Sequence, residues 1–109
     1  MRVLRFIVDG QTISQDPACD FSGLVPGTEG YLRAEFQFSS DWEGSTRVAS
    51  FFSSLGKEYK PQILEKGVSC VIPVEALAKS IFKVQVIGRK GDVKLRTNKV
   101  IVYQKGDKL

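Results

Sequence analysis

Hydrophobic and polar residues alternate along most of this chain with the period of a β-strand. Leu4, Phe6 and Val8 share one face of residues 3–8. Leu32, Ala34, Phe36 and Phe38 share a face of residues 30–38, with Arg33, Glu35 and Gln37 on the other. Phe82, Val84 and Val86 alternate with Lys83 and Gln85 across residues 81–87. Further strands are predicted over 11–13, 46–52, 57–64, 68–72 and 93–103. Pro61 interrupts the 57–64 stretch, which suits an edge or a bulge. The polar pair Thr97-Asn98 breaks the last strand. Turn signals fall between these segments: Asp9-Gly10, Gly56, Lys66-Gly67 and the hairpin loop Arg89-Lys90-Gly91-Asp92.

One segment reads as helix. Pro73 to Lys79 starts with a proline suited to a first helical position and continues with Ala, Leu and Glu. It is long enough only for a connector. Residues 14–28 are the longest irregular stretch, broken by Pro17, Gly23, Pro26 and Gly27. A loop of that length is either functional, docked on a partner, or the covering of a sheet edge. About seven short strands with a turn every 8–12 residues or so predict an all-β fold. The expected architecture is an antiparallel, immunoglobulin-like β-sandwich with one short helical connector. It forms a single domain over residues 1–104, with residues 105–109 as a polar tail that frays after Tyr103.

A chain of 109 residues fits one domain and can bury roughly two-thirds of its unfolded surface. No apolar run approaches the ~20 residues of a membrane span, and no membrane association is expected. Met1 to Val8 lacks the long apolar region and cleavage site of a signal peptide. The net charge of +4 is a mild excess that solvated strand faces can produce as readily as a nucleic-acid site. Cys19 and Cys70 match no zinc spacing, and two thiols cannot fill a four-ligand site. They are either free thiols or a disulfide. Cys70 alternates with Val68 and Ile72, which aims it at the core. The chain has no histidine, so the commonest general base and metal ligand is missing. No cofactor, metal or catalytic residue is expected.

The candidate chemistry is sparse. Trp42 is either a stacking platform or interface anchor, or a ring packed over the end of the sandwich with its N–H on a turn carbonyl. Asp41 and Glu43 flank it, and a carboxylate pair can work as acid and base on glycosides; no third group supports them. In the adjacent pair Phe51-Phe52 one ring must point away from the core unless both faces are covered; Phe51 is the candidate partner contact, or a loop such as residues 14–28 covers the outward ring. Gly88-Arg89-Lys90-Gly91 spells the Gly-x-x-Gly of a KH loop, but that loop joins helices and here both flanks read as strands. Lys83, Arg89, Lys90, Lys94, Arg96 and Lys99 form either a phosphate-binding stripe or a solvated strand face.

The run Phe36-Gln37-Phe38-Ser39-Ser40-Asp41-Trp42-Glu43-Gly44, preceded by Tyr31-Leu32 and followed by Val48-Ala49-Ser50-Phe51, carries a resemblance. It is similar to the start of a domain found in virion proteins of phages and prophages of Gram-positive bacteria. The second half continues the likeness with Cys70-Val71-Ile72-Pro73, Glu75-x-Leu77, Phe82-x-Val84-x-Val86-x-Gly88, a basic hairpin and Thr97-Asn98. The likeness spans residues 1–104. It implies a non-enzymatic attachment or decoration module of a tail, baseplate or head fibre, located in the virion after synthesis in the bacterial cytoplasm. It implies other virion proteins as partners and a homo-oligomer, trimeric as fibres commonly are. Such domains often precede a coiled-coil, collagen-like or receptor-binding region. Ending at Leu109, the chain is either a small virion protein or an N-terminal domain of a longer one.

Two other readings stand beside it. One is a carbohydrate-binding module for host cell-wall sugars, built on Trp42, Asp41 and Glu43. The other is a basic nucleic-acid-binding β-barrel, which the mild charge makes the least expected.

Overall fold

The computed structural model describes residues 1–105. Nine strands and one short helix follow in the order β1 (Arg2–Asp9), β2 (Thr12–Gln15), β3 (Leu32–Phe38), β4 (Thr46–Ser53), β5 (Gln62–Ile63), β6 (Ser69–Val71), α1 (Val74–Leu77), β7 (Ile81–Lys90), β8 (Val93–Arg96) and β9 (Val100–Tyr103). They build two sheets. The four-stranded sheet runs β2-β1-β3-β6, and the other runs β5-β4-β7, with β8 and β9 sharing the far edge of β7. One hydrophobic core joins the inward faces of both sheets.

The all-β expectation holds, with two corrections. Nine strands form among the described residues instead of about seven, partly because Thr97, Asn98 and Lys99 split the last strand in two. One ladder is also parallel. β1 pairs with β3 in parallel from Arg2↔Leu32 to Val8↔Phe38, so the sheets are not wholly antiparallel. A parallel pair needs a long crossover. The hairpin at Asp9-Gly10 sends β2 back along β1, and the chain must then return to the start of β1 before β3 can begin. The irregular stretch after β2 is that crossover.

The crossover is anchored along its length. Leu24 is buried in the core, and Phe21 meets Phe6 edge-on with ring centroids 5.4 Å apart. The Arg2 guanidinium donates to the carbonyls of Asp20 and Ser22 at 2.9 and 2.6 Å. Hydrogen bonds from Ser22, the hydroxyl first and the backbone N–H second, hold the Asp20 carboxyl below its ordinary value. In parallel register Phe6 lies beside Phe36, and their rings stack at 5.4 Å.

Asn98 sutures the two sheets. Its side-chain oxygen accepts the Ile13 N–H at 2.7 Å, its amide donates to the Ile13 carbonyl at 3.3 Å, and its own N–H donates to the Gln11 carbonyl at 3.2 Å. A side chain thus pairs with β2 as a strand backbone would. Thr97 secures the same corner, because its hydroxyl accepts the Val86 N–H at 3.1 Å.

Gln104, the first residue of the tail expected after Tyr103, belongs to the fold. Gln104 is buried, and its amide donates to the carbonyls of Leu77 and Lys79 at 3.0 and 2.7 Å. The last carbonyls of a helix need outside donors, and Gln104 supplies them at the end of α1. Of the expected tail at 105–109, Lys105 is exposed and residues 106–109 lie outside the described residues.

Both cysteines are free thiols. Cys70 pairs with Ala34 in register and faces the core, where burial pushes its thiol up to about 12. The thiol of Cys19 accepts the Arg5 N–H at 3.3 Å.

Candidate functional site

The chain leaves β3 at Phe38 and turns through a single 3-10 turn, Ser40–Trp42, before entering β4 in the other sheet. Successive backbone bonds hold this turn: Ser39 N–H to Val8 carbonyl, Trp42 N–H to Ser39, Glu43 N–H to Ser40 and Ser45 N–H to Trp42. The tryptophan it carries is fully buried. Its indole N–H donates to the Gly10 carbonyl at 2.7 Å. Gly10 has a φ of 58°, in the left-handed region the Asp9-Gly10 hairpin requires. Ser39 ties the same hairpin, accepting the Gly10 N–H through its hydroxyl at 3.0 Å.

The indole packs against Gly88 of β7. A Cβ at position 88 would stand 2.6 Å from Cζ3 and 2.8 Å from Cε3 of the ring. Gly88 continues the inward series Phe82, Val84, Val86, and a glycine at an inward strand position marks a close approach. Arg47 closes the site. It shares the inward parity of Ala49 and Phe51 in β4 and lies opposite Gly88 in register. Its guanidinium covers the Phe38 ring at 4.1 Å. It donates to the Trp42 carbonyl at 2.7 Å, the Gly67 carbonyl at 2.9 Å and the Ser45 hydroxyl at 3.1 Å. No carboxylate pairs with it among the described residues, so backbone and hydroxyl dipoles neutralise the partly buried cation.

These contacts correct two candidate partner contacts. Trp42 and Phe51 have no exposed surface, so neither ring can stack on a sugar or anchor a partner from where it sits. Trp42 packs over the end of the fold with its N–H on a turn carbonyl. Phe52 is the outward member of its pair, yet it too is buried, and the Lys99 ammonium covers it at 4.0 Å from the ring centroid, so neither ring of the pair is an exposed contact. Asp41 and Glu43 are exposed. Asp41 accepts the Ser39 hydroxyl at 3.2 Å, which commits one of its oxygens to the turn.

Beside the turn lies a hollow of about 640 Å³ whose lining includes Arg5, Glu35, Gln37, Phe38, Glu43 and Arg47. Charges of both signs line it, and Arg5 and Glu35 already pair at 3.0 Å. Among the described residues no group of three or more His, Cys, Asp or Glu side chains is placed to hold a metal ion, and no helix is long and apolar enough to cross a membrane.

The Gly-x-x-Gly run is the hairpin between β7 and β8, so it is not a KH loop. The basic stripe divides. The Lys90 ammonium leaves it and donates to the Glu43 carbonyl at 2.8 Å. Arg89 and Lys94 face each other in register, as do Ile87 and Arg96, and Lys83 lies opposite Phe52, which Lys99 covers. The structure therefore gathers Lys83, Arg89, Lys94, Arg96 and Lys99 on the outer face of the five-stranded sheet.

Arg47 and Asn98 carry more of the architecture than their sequence context advertises. A charge at an inward position of β4 and a polar break inside a strand were their only signals. No protein-family model, curated protein or solved structure matches this chain.

Proposed function

We propose that this protein is a non-enzymatic structural module of a phage virion, an immunoglobulin-like β-sandwich that attaches or decorates a tail, baseplate or head fibre. One observation carries the reading. The residues in which the chain resembles such domains are spread over the sequence, yet many meet in a single framework. Phe36 and Phe38 lead into Trp42, Trp42 rests on Gly88, and Thr97-Asn98 locks the adjoining corner to β2. The absent histidine agrees with a binding role.

A sugar-binding role depends on an exposed Trp42 ring, and the ring is buried. Attachment therefore ranks first, with other virion proteins as partners and self-association into a trimer as a corollary of the fibre reading.

The test is to purify phage particles from the bacterium that carries this reading frame and to quantify the protein by mass spectrometry. A constant copy number per particle through gradient purification is the expected result. A protein made during phage production yet absent from purified particles overturns the reading.

A further inference from the structure

The outer face of the five-stranded sheet gathers five cations that the fold leaves without an ion-pair partner among the described residues. Register places Val48, Ser50 and Phe52 of β4 on this side, opposite Ile87, Gln85 and Lys83 of β7; Ser50, Phe52 and Gln85 are themselves buried, so Val48 and Ile87, both partly exposed, form the apolar centre that is open to a partner. Ile63, paired with Val48, and Ile101, paired with Lys83, extend the apolar surface to either side and are 75% and 39% exposed. Lys83, Arg89, Lys94, Arg96 and Lys99 are distributed over this surface, and none is in an ion pair among the described residues. Register sets a single carboxylate there among the described residues, Glu58 opposite Phe52. A shallow hollow of about 340 Å³ lies at the basic end, with Val48, Ile87, Arg89 and Lys94 in its lining.

We infer that this face is a docking surface for an acidic protein partner, one that presents aliphatic side chains ringed by Asp and Glu. Charge decides the sign of the occupant. Unpaired cations around an apolar centre favour carboxylates at the rim and aliphatic contact in the middle. The same charges argue against a second copy of this chain, since a symmetric contact would set these cations against themselves. They also distinguish protein from nucleic acid. Single strands bind on exposed aromatic rings, and on this face Phe52 lies beneath Lys99 while Tyr103 stands alone at one end. The inference rests on the attachment reading for the partner's class, a protein.

The test uses the whole isotopically labelled protein and three probes followed by NMR. The probes are a synthetic peptide of alternating Glu and Leu, a poly-glutamate of the same length, and an oligo-dT. The expected result is saturable shifts of the Lys83, Ile87, Arg89, Arg96 and Ile101 amides with the Glu-Leu peptide, weakening as salt rises. Poly-glutamate, lacking aliphatic contact, binds more weakly. Arg89→Glu with Arg96→Glu lowers peptide affinity about tenfold or more. Lys79→Glu with Lys105→Glu reaches the same net charge and leaves peptide binding unchanged.

Tighter binding of oligo-dT than of peptide overturns the inference in favour of nucleic acid. Shifts elsewhere on the molecule, or no saturable binding, overturn it outright. Because no particles are involved, failure here leaves the virion measurement standing. A protein absent from particles that still binds the peptide here loses only the attachment reading.

Discussion

Strand β7 separates two regions that use polar chemistry in opposite ways. On its inward side at Gly88 lies the Trp42 turn, where the indole N–H, the Arg47 guanidinium and the Ser39 and Ser45 hydroxyls all have partners inside the fold. On its outward side, one residue away, Arg89 begins a face of cations with no ion-pair partner among the described residues. The first region spends its hydrogen bonds on holding two sheets together. The second contributes little to folding, because exposed charges without partners add almost nothing to stability. A polar group in the first region should be costly to remove, and one in the second should matter only when something binds.

Removing the indole should break the first region most severely. Trp42→Ala deletes a fully buried ring and leaves the Gly10 carbonyl without its donor. A loss of about 3–5 kcal/mol is expected, read from denaturant unfolding. A loss below about 1 kcal/mol would mean that the turn does not hold the sheets.

Gly88→Ala tests the same contact from the other side. The added methyl would stand 2.6 Å from the indole, so the ring or β7 must move. Overpacking of this kind costs about 1–3 kcal/mol. Glycine also weakens strands, so alanine here would stabilise the protein if the close approach were not real. The sign of the change therefore decides the matter.

Cys70 sharpens the contrast between closed and open surface through chemistry. Its thiol is buried and pushed up to about 12, so at mildly alkaline pH an alkylating reagent should label it only after unfolding, whereas the partly exposed Cys19 should react in the native state. The linkage has a definite sign. An unfolded thiol ionises near pH ~8.5 and the folded one only near 12. The stability contributed by keeping it protonated is complete below the lower value and is lost as pH rises between the two. Rapid native labelling of Cys70 would show that the core under β6 opens.

Much of the framework was legible because alternation is a local signal. Leu4, Phe6 and Val8, or Phe82, Val84 and Val86, are inward because a strand has a period of two, and no distant residue is needed to say so. The parallel pairing of β1 with β3 was not legible, since it depends on where the chain returns after β2. From sequence alone the long irregular stretch reads as a functional loop, a docked segment or an edge covering, while its length is what a parallel crossover requires. Trp42 was ambiguous for a related reason. A lone aromatic in a polar turn is a platform or a plug according to what lies opposite. Gly88, at the end of an inward apolar series, was the residue that could have indicated a plug. Gln104 gave no signal, because its partners are carbonyls of a helix far back along the chain.

The smallest expected effect lies on the open face and bears on whether it is open at all. Arg89 and Arg96 are exposed, and no carboxylate among the described residues lies within ion-pair distance of either. Charge reversal at both positions should therefore change unfolding free energy by no more than about 0.5 kcal/mol. Lys99 is the graded case. Its ammonium lies 4.0 Å from the Phe52 centroid, and Lys99→Ala should cost about 0.5–1 kcal/mol, the value of an exposed cation–π contact. If the double reversal destabilised the protein as much as Gly88→Ala, the cations would be part of the framework, and the division of β7 into a committed face and a free one would fail. If the reversal is silent in unfolding yet abolishes binding of an acidic peptide, the two faces of one strand are energetically independent. Folding would then be decided on the side of Trp42 and recognition on the side of Arg89.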